Sequence, residues 1–251
     1  MEFTERFLFT PNLPKNDVSL VIMSGKYPSL TAQINRLGIA VAAVEEYPLL
    51  AEPVRSHADM LIHHLGKNVF AAVDTYTAEI LKIRGAEIIY INERLCSVYP
   101  NDVLLNFARV GNRVFGRMDI MPAALREYFN DNGIELINVN QGYAKCSTAI
   151  IDKNSIITSD KTIACAAEGA GMDVLCISPG SIVLDGYDTG FIGGCCGKIG
   201  EKTIVFTGDI YTHPDGKKIA DFISDRKIEA VTLSTGPLLD IGGIIPAAEI
   251  C

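Results

Sequence analysis

Residues 56–92 read SHADMLIHHLGKNVFAAVDTYTAEILKIRGAEIIYIN. Two apolar runs flank Gly66-Lys67-Asn68, an oxygen-bearing pair Asp74-Thr75 opens a helical stretch, and a short apolar run follows Gly85. That order is strand, tight turn, strand, helix, strand. The same order returns in residues 100–140, 144–178 and 187–234. Self-similarity at such a period means that the fold is an array of one supersecondary unit, and single motifs take their meaning from their place in it.

The punctuation is consistent from unit to unit. Gly111-Asn112 and Lys153-Asn154 take the place of the first hairpin turn, and a longer turn from Gly197 to Glu201 serves the last unit. Gly and Asn accept the positive φ that two-residue hairpin turns require. Asp119, Ser159-Asp160 and Asp209 stand where a helix should start and a short side chain can accept free amides. The helical stretches TAEILKIRG, PAALREYFNDNG and KTIACAAEGAG stop at Gly, the usual left-handed end residue. The apolar runs EIIYIN, ELINVN, VLCIS and AVTLS read as strands buried on both faces.

A fifth unit is split. Residues 17–50 hold SLVIMSG, a helix YPSLTAQINRLG and a strand IAVAAVEEY, without an obvious leading strand. The C-terminal stretch 236–251 is one candidate for it, and FLFTPN is the competitor. Closure by the C-terminus would remove exposed sheet edges. The expected architecture is therefore α/β: a five-bladed, pseudo-symmetric ββαβ propeller in a single domain over residues 1–251. Its blades are 17–50 closed by 236–251, then 56–98, 100–140, 144–182 and 187–235.

Composition narrows the function. Hydrophobic residues make up 48% and the net charge is -8. That disfavours a nucleic-acid groove and suits a soluble protein with a cationic ligand. No apolar run approaches a membrane span, and the acidic, Pro-bearing start is unlike a secretory signal. Seven scattered cysteines point to reduced thiols and a cytoplasmic location. Their spacing suggests no metal site, no cofactor is implied, and nothing excludes a homodimer.

In such a ring, polar residues at the starts of the leading strands should converge. They are His57-Ala58-Asp59, Asn101-Asp102, Lys145-Cys146-Ser147-Thr148, Asp188-Thr189 and, with C-terminal closure, Asp240. A Cys and a His from separate elements meeting in space is the arrangement of thiol catalysis. The bland reading of the aspartates, Asp102 above all, is that they accept backbone amides and hold register. His63 and His64 read as strand or turn residues, His213 as a helix opener, and Cys165 and Cys176 as small buried apolar groups.

The repeat, together with His57-Ala58-Asp59 and QGYAKCST at residues 141–148, resembles the pentein guanidine-modifying superfamily: arginine and agmatine deiminases, dimethylarginine hydrolases and amidinotransferases. The resemblance implies Cys146 as nucleophile, His57 as proton shuttle and Asp240 as the catalytic acid. Asp59, Asn101, Asp102, Asp188 and Thr189 would bind a small guanidine-like cation. Family order places the acid one blade before the His and the Cys two blades after it, late in the chain. Here Cys146 lies mid-chain, so the order is cyclically permuted. Two alternatives stay open. One is a non-catalytic binding protein, as in the ribosomal anti-association initiation factor of this fold. The other is redox or metal chemistry at Cys195-Cys196 in the Gly-rich stretch 178–200.

Overall fold

The computed structural model describes residues 4–251. The chain opens with β1 (Glu5–Phe7), β2 (Val18–Ser24), α1 (Pro28–Arg36) and β3 (Ala40–Val44). The next unit is a one-turn helix α2 (Ala58–Leu61), β4 (Ile62–Gly66), β5 (Val69–Ala72), α3 (Tyr76–Ile83) and β6 (Glu87–Tyr90). Then come β7 (Ala108–Val110), β8 (Arg113–Gly116), α4 (Ala123–Asp131) and β9 (Glu135–Asn138). The pattern repeats in β10 (Thr148–Asp152), β11 (Ser155–Thr158), α5 (Lys161–Gly169) and β12 (Asp173–Cys176). It repeats again in β13 (Cys196–Gly200), β14 (Thr203–Phe206), α6 (Gly216–Asp225) and β15 (Glu229–Thr232). The last strand, β16 (Ile245–Ile250), returns to the first sheet.

The result is a mixed α/β fold of five small sheets. Four have the order leading strand, middle strand, third strand, the first pair antiparallel and the second parallel across the helix. In the remaining sheet β16 lies between β1 and β2. Of the competitor segment FLFTPN only Phe7 joins this sheet, at the end of an outer fourth strand, Glu5–Phe7 against Ile250–Ala248. Leading strands touch across sheets: β10 packs on β7 and on β13, and β13 on β16.

Each helix longer than one turn buries an i, i+4 stripe, such as Leu30 and Ile34 in α1, Leu125 and Phe129 in α4, and Ile219 and Ile223 in α6. Thr75 and Asp160 cap α3 and α5 by accepting first-turn amides. Asp119 instead sits inside a 3₁₀ turn ahead of α4, and Asp209 caps a 3₁₀ turn well before α6. His213 lies between that turn and α6 and is buried, with its Nδ1 accepting from the Asp215 amide at 3.0 Å. Gly85, Gly133 and Gly171 take positive φ at the helix ends, and Lys227 does so after α6.

The expectation of doubly buried third strands is corrected. β6, β9, β12 and β15 are sheet edges, covered on one face by their helix and half-exposed elsewhere. Cys165 and Cys176 are likewise exposed, on the outside of α5 and the edge of β12. The strands buried throughout are β4, β7 and β11, with only the first residue of β5, β8 and β14 half-exposed. No helix among the described residues is long and apolar enough to cross a membrane.

Candidate active site

Each leading strand is preceded by a tight turn or bend, helical at Ala58–Leu61 and Ile192–Cys195, and these turns define equivalent positions. Two residues before the strand stand Met60, Asn106, Cys146, Gly194 and Gly243; five before it stand His57, Val103, Tyr143, Phe191 and Asp240. The turns are tied in a closed circuit of hydrogen bonds. The Asp59 amide donates to Gly242 O (3.3 Å), and Asn106 Nδ2 donates to Asp59 O (3.2 Å). The amides of Lys145 and Cys146 donate to Asn106 Oδ1 (2.8 and 3.1 Å). The Gly194 amide donates to Cys146 O (3.0 Å), and Gly243 N donates to Gly194 O (3.0 Å), which returns the circuit to the last turn.

At the centre of this circuit, one donor atom each of His57, Asp59 and Cys146 lie within 4.8 Å of one another. The Cys146 thiol donates to Asp59 Oδ2 at 2.9 Å, and Asn106 Nδ2 approaches Sγ at 3.1 Å. His57 Nδ1 faces Asp240 Oδ1 at 3.8 Å. Asp240 is fixed by the amides of Phe191 (2.8 Å) and Gly242 (3.0 Å). Lys145 is buried beside them and donates to Gly193 O at 3.3 Å. Two polar atoms remain unused within this buried cluster: His57 Nε2 and Asp59 Oδ1.

Glycine makes this density possible. A Cβ on Gly194 would stand 1.9 Å from Asp240 Oδ1, and one on Gly242 would stand 2.4 Å from the Cβ of His57. Gly242 also holds φ +77, which L side chains rarely adopt. The Gly-rich stretch thus serves close packing around Asp240. Cys195 and Cys196 are buried in that stretch and donate to Phe191 O and Ile192 O. Burial drives the Cys195 thiol well above its usual pKa and that of Cys196 to about 12, so neither is a ready nucleophile or redox thiol.

The same physics acts on the central groups. Burial, with Asp59 and Asp240 close by, pushes the Cys146 thiol well above its ordinary value. Burial raises Asp59 to about 7 against the pull of Lys145. Burial lowers His57 in spite of Asp240. Without a ligand, the centre holds a neutral imidazole and a protonated thiol. It is also closed: Cys146 is 2% exposed, and the adjoining void, lined in part by Asp59, His63 and Lys145, is about 10 Å³, room for one water.

Of the residues chosen from sequence, His57, Asp59, Cys146 and Asp240 come together. Asp102 is buried at the flank, where it accepts the Tyr143 hydroxyl in a short bond. Tyr143 in turn stacks with Tyr99 on one side and Phe191 on the other. Asn101, Asp188 and Thr189 are not brought to the centre. Asn101 is exposed in a turn, Asp188 is exposed, and the Thr189 hydroxyl donates to Ile182 O and Gly190 O. They stand two or three residues upstream of the equivalent positions Val103 and Phe191, so the turn geometry turns them outward. Asn106 was overlooked. Its signal is its offset: it precedes its leading strand by the same two residues as Cys146.

The fold resembles that of the pentein-fold guanidine-modifying enzymes. The inosamine-phosphate amidinotransferase of Streptomyces griseus matches with a TM-score of 0.57 at 9% identity, over 95% of this chain and 94% of its own. An agmatine deiminase of C. jejuni, solved with substrate bound, gives 0.56 at 8% identity over 92% and 91%. A DDAH of Pseudomonas aeruginosa, solved with citrulline, gives 0.54 at 8% identity over 94% and 100%. At these identities the likeness is one of fold. No curated protein sequence matches the chain. By sequence the chain belongs to the family described as "Family of unknown function (DUF6873)", whose model matches residues 22–245.

Proposed function

We propose that the protein is a Cys-dependent enzyme acting on a small guanidine- or amidine-bearing cation, by hydrolysis or amidino transfer. The observation that carries this reading is the meeting of the Cys146 thiol, His57 and Asp59 inside 4.8 Å, on two turns remote from each other in sequence. The five sheets are read as blades of a propeller in one domain, a reading supported by the closed hydrogen-bond circuit.

The electrostatics favour a cationic guest. Asp59 and Asp240 outnumber Lys145 in the buried centre, with Asp102 at its flank, and a guanidinium bound there would be matched by fork-like carboxylate bonds. It would also reverse the pressure on the thiol, since a cation beside sulfur stabilises the thiolate. Sγ then attacks the central carbon, forming a C–S bond. The C–N bond to the departing amine breaks, and the thiol proton ends on that amine through Asp59 Oδ2 and the free Nε2 of His57. Water, or an acceptor amine, next attacks the amidino-thioether carbon. The C–S bond breaks, one proton returns to sulfur, and the other passes to His57.

A second reading, a binding protein without thiol chemistry, draws support from the closure of the centre. One experiment separates the two. The protein is treated in parallel with 2-chloroacetamidine and neutral 2-chloroacetamide, and alkylation is mapped by mass spectrometry. The exposed Cys165 and Cys176 serve as internal references. We expect Cys146 to prefer the amidine by about tenfold or more relative to those references, one charge-assisted bond's worth, and His57→Ala to abolish the labelling. A Cys146 silent to both reagents, or equally reactive to both, refutes the enzyme reading.

A further inference from the structure

A large cavity lies at the other end of the leading strands. β4, β7 and β10 begin beside the Cys146 centre and end in the hairpin turns at Lys67, Gly111 and Lys153. A rise of about 3.3 Å per residue sets those turns roughly 15 Å from the thiol. They enclose, with the segment after β1, a cavity of about 1120 Å³. Pockets for small-molecule ligands commonly reach about 300–1,000 Å³. Part of the wall is apolar, including Leu13, Tyr128 and Phe9, whose ring is 67% exposed.

Two cations are buried in this wall. Arg109, in β7, is 6% exposed; its Nε donates to Gly111 O at 2.8 Å and its guanidinium lies 5.8 Å from the centre of the Phe129 ring. Its Nη1 is sealed from solvent with no hydrogen-bond partner. Among the described residues no carboxylate pairs with it, and burial holds its pKa down at about 10. Lys198 is 4% exposed and donates to Ile151 O and Glu201 O at 3.0 and 2.8 Å. A cation withdrawn from water without a counter-charge is costly unless an anion is supplied. Exposed Lys15, Lys67 and Lys153 line the same cavity, and the Lys67 ammonium stands 5.6 Å from the Phe9 ring centre. The cavity also has acids. Asp152 and Asp173 are engaged by Arg226 at 3.7 and 3.1 Å, exposed Asp225 precedes that arginine in sequence, and Glu201 lies on the Lys198 side. The Arg109 half is therefore cationic, on a protein of net charge -8.

We infer that this cavity binds a phosphate ester of nucleotide size, its phosphate on Arg109 with Lys67 and Lys153, its planar body against Phe9 and Tyr128. A rigid guanidinium fork flanked by flexible ammonium stems matches a tetrahedral group of more than one charge. A single carboxylate would leave the lysines unmatched. The inference is independent of the chemistry at Cys146.

The test is isothermal titration calorimetry on the full chain with adenosine monophosphate, inorganic phosphate, adenosine and citrate. Expected are one-to-one binding of the monophosphate, weaker binding of phosphate and none of adenosine. Lys67→Asn/Lys153→Gln should weaken the monophosphate about tenfold or more, with an unchanged thermal midpoint for the free protein. Asn suits position 67 because Lys67 holds φ 52. Arg109→Gln should lose binding altogether. Silence toward the monophosphate at millimolar concentration, equal binding by the double variant, or citrate binding as tightly as the monophosphate overturns the proposal.

Discussion

Asp59 concentrates the tension of the site in one residue. Its carboxyl is buried, Oδ1 has no partner, and Oδ2 accepts from a thiol. Burial sets its pKa near 7, against 3.8 for the free side chain. The native state keeps a proton that the unfolded chain releases, so this group's contribution falls as pH rises from about 4 to 7. Above that window it subtracts about 4 kcal/mol. Asp59→Asn removes the charge and keeps an oxygen for the thiol. We expect the variant to be about 2–4 kcal/mol more stable than the parent at pH 8, less the cost of an unmatched amide, and nearly equal at pH 4. The preference of Cys146 for an amidine should vanish with it. Urea unfolding at both pH values checks the first claim, and a variant weaker at pH 8 contradicts it. His57, Asp59 and Cys146 were legible in sequence because a His, an acid and a thiol recurred at strand starts. Asn106 was not, because an Asn among apolar neighbours carries no chemical alarm; only its offset from the strand marks it.

At the scale of the element, β4 carries a second titration of opposite sign. His63 and His64 sit in a strand buried along its whole length. His63 Nδ1 meets Leu105 O at 3.2 Å, and His64 Nε2 meets Lys67 O at 2.9 Å with its ring stacked 4.2 Å from Phe70. Burial lowers His63 to about 3 and His64 to about 4. These bases stay neutral in the native state, while the unfolded chain takes up protons below 6.5. Their contribution is intact above 6.5 and is lost as pH falls toward 4. Two such bases outweigh the single acid at Asp59, so net stability declines on the acid side. His64→Gln keeps a donor for Lys67 O but does not titrate. It should flatten the pH dependence between 4.5 and 6.5 by one proton, about 1.4 kcal/mol per pH unit. An unchanged slope in urea midpoints would show that His64 titrates alike in both states. Sequence placed these histidines on a strand or turn but not their burial, which depends on α4 and the neighbouring sheet closing over them. The third strands failed for the mirror reason. An apolar run does not say whether a further strand will pair beyond it, and there none does.

At the scale of the molecule, self-similar units disclosed the repeated supersecondary order, because hairpin turns and helix ends leave Gly and Asn at fixed places. Close approach of backbone to side chain, such as that of Gly194 to Asp240, left only a bare glycine in the sequence. The assembled chain shows why a cyclic reordering is physically inexpensive. β1 and β16 are paired, and the Cys251 amide donates to Thr4 O at 2.8 Å, so the two ends of the described chain are neighbours. Pro179 is exposed just after β12, at the start of the Gly-rich stretch. Joining Cys251 to Thr4 by a short Gly/Ser linker and opening the chain between Pro179 and Gly180 would place Asp240, His57 and Cys146 in that order, with the thiol in the last unit. Since no sheet pairing is cut, the circuit of hydrogen bonds through Gly242, Asp59, Asn106, Cys146 and Gly194 should re-form. We expect cooperative unfolding with a thermal midpoint within about 4 °C of the parent, roughly 1 kcal/mol, and the same amidine preference at Cys146. Opening instead between Val205 and Phe206, inside the buried β14, should abolish folding. An insoluble Pro179 permutant, or one that folds but labels Cys146 without preference, would mean that native chain order itself holds the turns in register, and that the centre is not a property of the ring alone.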